Sequence, residues 1–149
     1  MKKTLDRRQL LTSFAALAAS STLFSRSAHA NAAAAFYRTG EYTYCDLKIL
    51  ASYWSRDTYQ AKIFAGQKIL SGNNYTLKQV LAAARPVAKQ RRVTCTFNDA
   101  DNPRYTYNDA VRLAKHWGFN TPWDAKVKIT NSIFYGNNLW VKGELASIR

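Results

Sequence analysis

Residues Tyr42 to Asn74 read YTYCDLKILASYWSRDTYQAKIFAGQKILSGNN, and residues Tyr105 to Asn138 read YTYNDAVRLAKHWGFNTPWDAKVKITNSIFYGNN. With Pro122 taken as a single inserted residue, 14 of the 33 aligned positions are identical, against about two expected from average composition. Self-similarity at that level marks an internal duplication. Each copy therefore tests the reading of the other.

Thr43 and Thr106 stand three residues before Asp46 and Asp109, the spacing of a reciprocal helix N-cap. Leu47, Leu50, Ala51 and Trp54 then match Ala110, Leu113, Ala114 and Trp117 at the i, i+3, i+4, i+7 spacing of one helical face. That stripe is expected in the core, Trp54 and Trp117 included. The opposite face differs between copies, Lys48 against Val111 and Ile49 against Arg112, and is expected to be less constrained by packing. A short turn follows, and a second helix opens at Thr58 or Thr121, with Pro122 at a first helical position that needs no amide hydrogen. This helix carries Ala61, Ala65 and Ile69, or Ala125, Ile129 and Ile133. Gly72 or Gly136 ends it.

The expected fold is mostly α: a single small domain of two pseudo-symmetric helix-turn-helix repeats, 42–74 and 105–138, joined by a helical linker within 75–104. In the linker Thr76 opens a helix through Leu77, Val80, Leu81 and Ala84, with Pro86 as a kink or stop. Val93 to Phe97 alternates like a short extended segment, Asn98 to Arg104 reads as a turn, and Trp140 to Arg149 as a helical turn or a strand.

Ahead of the duplication, residues 1–30 have the three parts of an export signal: basic Lys2, Lys3, Arg7 and Arg8, an apolar run from Leu10 to Phe24, and Ala28-His29-Ala30 as a cleavage pattern. The apolar run falls short of the roughly 20 residues a membrane span needs. Arg7-Arg8-Gln9-Leu10-Leu11 resembles the twin-arginine export consensus, departing from it at Asp6, Leu10 and Thr12. An ordinary secretory leader is the alternative. Cleavage after Ala30 leaves 31–149, one domain's worth of chain with no further apolar segment.

The 149 residues hold 22 basic and 9 acidic side chains, and the part from Asn31 keeps 17 and 8, a net +9. Such charge attracts anionic polymers and surfaces over about a Debye length. Cys45 and Cys95 are the only cysteines, and in an oxidising compartment they read as one disulfide, with two buried thiols as the alternative. A 50-residue loop closed this way contributes roughly 4 kcal/mol on the chain-entropy model.

Chemistry-bearing patterns are few. The helix-turn-helix spacing with basic charge invites a DNA reading, but an exported protein meets no operator, and two packed helices need the same spacing. Asn98, Asp99, Asp101 and Asp109 superficially resemble a calcium loop, yet Pro103 and Arg104 stand where such a loop wants an oxygen ligand and glycine. Zinc and haem spacings are lacking, and no cofactor or metal is expected. His116 is the one histidine after His29, its counterpart is Tyr53, and no nucleophile elbow accompanies it. Asp46, Asp57, Asp109 and Asp124 fall at helix starts.

Aromatic residues remain: paired Tyr-x-Tyr steps precede the first helix of each copy, and Lys62 and Lys126 follow alanine at equivalent positions. Tyrosine beside lysine suits sugar, polymer or protein contacts. The expected binding residues are thus Tyr42, Tyr44, Lys62, Tyr105, Tyr107 and Lys126, with the Tyr steps as surface platforms. The expected function is noncatalytic binding, in the periplasm or outside the cell, to an envelope protein or an anionic envelope polymer. Nonspecific polyanion or nucleic-acid binding and a small hydrolase using His116 are the alternatives.

Overall fold

The computed structural model describes residues 26–100 and 104–148; the leader at 1–25, Asp101 to Pro103 and Arg149 lie outside the described residues. Seven helices are present among the described residues, and no strand. Helix α1 covers residues 26–38, α2 Tyr44–Trp54, α3 Thr58–Leu70 and α4 Asn74–Gln90. A single 3-10 turn, Phe97–Ala100, leads to α5 Tyr107–His116, α6 Pro122–Phe134 and α7 Asn138–Ser147. No helix among the described residues is long and apolar enough to cross a membrane.

Local chemistry starts the helices alike in the two copies. Thr43 N–H donates to Asp46 Oδ2 at 2.9 Å and Asp46 N–H to Thr43 Oγ1 at 3.2 Å, closing a capping box on α2. Thr106 and Asp109 close the same box on α5 at 2.8 and 3.2 Å. The second helices are capped one aligned position apart. Asp57 accepts the Gln60 N–H to start α3, whereas Thr121 accepts the Asp124 N–H to start α6, with Pro122 at its first turn. Ser55 and Gly118, aligned after α2 and α5, are both left-handed, at φ +52° and +72°.

The side chains behind those caps have different fates. α2 packs on α3, α4, α6 and the 3-10 turn, so it lies at the centre and buries Cys45, Asp46, Leu47, Ile49, Leu50 and Ala51. α5 packs on α6 and α7 and buries only Ala110, Leu113 and Ala114. Ile49, expected on the loosely constrained face, is therefore fully buried, because α2 is covered on sides that α5 leaves to water. Trp54 and Trp117 in turn are only partly buried at the margin of the core, Trp54 edge-on to Phe64 at 4.8 Å and Trp117 stacked on Trp140 at 5.8 Å.

Three further expectations are corrected. α4 begins at Asn74, ahead of Thr76, and continues through Pro86 to Gln90, because Leu77, Leu81, Ala84 and Ala88 form one buried stripe whose packing outweighs the hydrogen bond proline omits. Residues 93–96 are irregular and join no strand. The tail is a full helix, α7, and it aligns with the start of the expected linker: Asn74, Leu77, Lys78 and Leu81 match Asn138, Val141, Lys142 and Leu145. In both copies the leading tyrosine reaches that asparagine. Tyr42 Oη donates to Asn74 Oδ1, and Tyr105 Oη to Asn138 Oδ1 at 2.7 Å.

Two ties join the parts. Cys45 and Cys95 form a disulfide, Cα to Cα 5.4 Å, fixing the first turn of α2 to the 93–96 stretch. Arg85 of α4 spans the copies, its Nε donating to the Phe134 carbonyl at 2.9 Å and its Nη2 pairing with Asp46 Oδ1 at 3.1 Å.

Candidate ligand cleft beside helix α6

Helix α6 turns Ala125, Ile129 and Ile133 inward, which leaves Trp123, Lys126, Val127, Thr130 and Asn131 together on an outer face at i, i+3, i+4, i+7, i+8. Opposite this face stand Cys95 to Asn98, held by the disulfide, and the Tyr105 to Tyr107 entry to α5. Between them lies a cleft of about 620 Å³, inside the 300–1,000 Å³ range usual for small-ligand sites.

Its walls are aromatic. Tyr105 is buried, 5.8 Å from Phe97 between ring centres. Tyr107 and Trp123 are 61% and 70% exposed, so much of each side chain is accessible from the cleft. Lys126 Nζ lies 5.2 Å from the Tyr107 centroid and 5.4 Å from that of Phe97, a pair of cation–π contacts at the mouth. Among the described residues Lys126 makes no ion pair and no carboxylate lines the cleft. The Asp99 carboxylate near the 3-10 turn is taken up by Lys48 Nζ at 2.9 Å and by the Thr96 N–H at 2.8 Å.

The six residues expected at a binding site therefore divide by copy. Tyr105, Tyr107 and Lys126 converge on one cleft. Tyr42 and Tyr105 are buried at 5%, so neither is a surface platform, and each spends its hydroxyl on an asparagine. Burial pushes the Tyr42 phenol up to about 12 and that of Tyr105 higher still. Tyr44 stays at the surface, its ring 5.9 Å from Lys48 Nζ. Lys62 is engaged by α1, its Nζ 4.4 Å from the Tyr37 centroid.

Helix α1 accounts for that split. It buries Ala32, Ala33, Ala35 and Phe36, stacks Phe36 on Tyr42 at 5.3 Å, and rests its backbone on α3 at Gly66. A Cβ at Gly66 would stand 1.7 Å from the Ala32 carbonyl oxygen. The aligned residue of α6 is Thr130, which lines the open cleft.

Two other charged places are internally paired. A second cleft of about 320 Å³ holds Lys78 against Glu41 at 3.1 Å and Arg85 against Asp46. Burial lifts the Asp46 carboxyl above its ordinary range, even though Thr43 and Arg85 pull it down. His116 Nε2 sits 3.1 Å from Glu144, whose other partner is the Trp117 indole N–H; that bond, and then His116, hold Glu144 below the ordinary carboxylate range. Lys128 Nζ caps the Trp117 ring at 4.2 Å. No three His, Cys, Asp or Glu side chains among the described residues are placed to hold a metal.

Phe97, Trp123, Thr130 and Asn131 complete the cleft and were not singled out as binding residues from the sequence. The readable signal was the α6 periodicity: once Ala125, Ile129 and Ile133 are assigned inward, Trp123, Lys126 and Thr130 must share an outer face. No protein-family model, no curated protein and no solved structure matches the chain.

Proposed function

We propose that this chain is an exported, noncatalytic binding module of the bacterial envelope and that the cleft beside α6 is its ligand seat. The observation that carries this reading is the convergence of two exposed aromatic rings with a lysine that lacks an acidic partner among the described residues, in a cleft of ligand size. The leader read from residues 1–30 and the Cys45–Cys95 disulfide support an oxidising destination. Residues 26–30 are exposed and the buried seat of α1 begins at Ala32, so removal of the leader after Ala30 spares that packing. A noncatalytic role is supported by the engagement of all seven described carboxylates after Ala30, each in a cap, an ion pair or a hydrogen bond.

The test is recovery of envelope material on immobilised protein purified from exporting cells, with and without Trp123→Ala, at low and high salt. Material that is retained by the parent and lost from the variant supports the cleft. Retention that falls with salt and ignores Trp123 would transfer the function to the +9 net charge, the nonspecific polyanion reading.

A further inference from the structure

We infer that the cleft takes a carboxylated sugar unit of an acidic polysaccharide, one per protein. This rests on the cleft being the ligand seat and adds the identity of what fills it. The argument starts from the two aligned helix faces. On α3 the face bearing Lys62 and Gly66 is closed by α1, which lies so near that only glycine fits beneath the Ala32 carbonyl. On α6 the corresponding face bears Lys126 and Thr130, and the threonine side chain stands where the α1 backbone stands on α3. A helix seated as α1 is seated is thereby kept off α6. What remains is room for a thinner occupant.

The lining selects among thin occupants. Tyr107 and Trp123 offer flat apolar faces, which the C–H face of a pyranose ring covers with release of water. Asn98, Asn131 and Thr130 supply amide and hydroxyl groups that both donate to and accept from sugar hydroxyls. Lys126 is the only charged side chain among the described residues of the lining, and its ammonium matches one carboxylate per sugar ring. A strand of nucleic acid carries a phosphate at every step and is tracked by rows of cations, which the cleft does not have. A bare polyphosphate would leave both rings without a partner. Of the two aligned faces that of α3 is covered and that of α6 is open, so one ligand is expected per chain.

The experiment is a calorimetric and fluorescence titration of the exported protein with short oligomers of a uronic acid, with the neutral oligomers of the matching hexose, with inorganic polyphosphate and with a single-stranded oligonucleotide. The expected result is one-to-one binding of the acidic oligomer, at least about tenfold tighter than the neutral one. Trp123→Ala should weaken it about tenfold or more, and Lys126→Gln should bring the ratio of acidic to neutral affinity down to about one. Trp123 and Lys126 sit outside the core, and an unchanged melting curve confirms that each variant is folded. Equal binding of neutral and acidic oligomers, binding only of polyphosphate or oligonucleotide, or no binding at all overturns the inference. If the sugar fails but envelope material is still retained in a Trp123-dependent way, the cleft stands as the ligand seat and only its occupant was misassigned; if neither depends on Trp123, the seat itself is refuted.

Discussion

Asp46 and Asp109 occupy the same place in the two copies and close the same capping box, but Asp46 is buried against Arg85 and Asp109 lies near the surface beside Arg112, 4.0 Å away. The same divergence runs through both units. Ile49 is buried where Arg112 reaches the Ile148 carbonyl, and Gly66 is pressed by α1 where Thr130 borders an open cleft. Even the cation–π contacts change places: Arg56 lies over Phe64 in the first copy, and in the second Lys128, aligned with Phe64, lies over Phe119, aligned with Arg56. The two aligned segments share the capping box on their first helix and the left-handed turn after it. Both copies contribute to the core, but their neighbours cover more of α2 and α3 and leave a cleft open beside α6.

The largest break in that comparison is expected at the paired aspartates. Asp46→Ala removes a cap and strips partly buried Arg85 of its partner, so it should cost about 3 kcal/mol, against about 1 kcal/mol for Asp109→Ala, which loses a cap and a long, partly exposed pair with Arg112 that adds little. Urea unfolding of both variants measures this, and equal losses would mean that the Arg85 pair adds nothing to the cap.

Gly66→Ala should come next, at about 2 kcal/mol, since its methyl must displace the α1 backbone; Thr130→Ala, beside the cleft, should stay within about 0.5 kcal/mol. Thermal melting decides it, and an unaffected Gly66→Ala would show α1 to be loosely held.

A smaller effect of opposite sign is expected at the turn after the first helix. Ser55 adopts φ +52° without being glycine, so Ser55→Gly should stabilise by about 0.5–1 kcal/mol, and the reciprocal Gly118→Ser should cost about 1 kcal/mol. Denaturant midpoints of the two variants should move in opposite directions.

The smallest expected effect is confined to the second copy. Glu144 is held below its ordinary value of 4.5 by Trp117 and His116, and Val80 stands at the aligned place in the first copy. A carboxylate with a depressed folded pKa contributes stability above pH 4.5 that is lost as the pH falls below it. Near-ultraviolet circular dichroism of the Trp117–Trp140 pair should therefore change in acid before global unfolding, and Glu144→Gln should abolish that limb.

Much of this was legible before any coordinates. The capping threonines and aspartates, the Pro122 start, the Gly72 and Gly136 endings and the Cys45–Cys95 bond follow from short-range chemistry and residue counting, and all are present in the structure. The helical class followed from periodicity for the same reason: a face repeating every 3.6 residues needs no knowledge of its partner. The cleft was half legible. Tyr105, Tyr107 and Lys126 were suggested by their repetition, which equally suggested Tyr42, Tyr44 and Lys62.

What separated these two sets is which helix face another element covers, a property of distant parts of the chain. Repetition made Tyr42 and Tyr105 look like surface residues, yet both are buried; the sets part at Lys62, which α1 engages, and Lys126, which lines the open cleft. Pro86 was read by its local cost, and packing of Ala84 and Ala88 overrode it. Trp54 and Trp117 looked like core because they continue an apolar stripe, yet a stripe fixes only direction, and the depth reached depends on what packs against its end. The sequence by itself determined the helices of the repeated segments and their caps, interactions within a few residues, and offered one pairing for its two thiols that the structure contains. The tertiary structure alone decided which of the aligned faces is covered and which stays open, because burial is settled by contacts that no local pattern encodes.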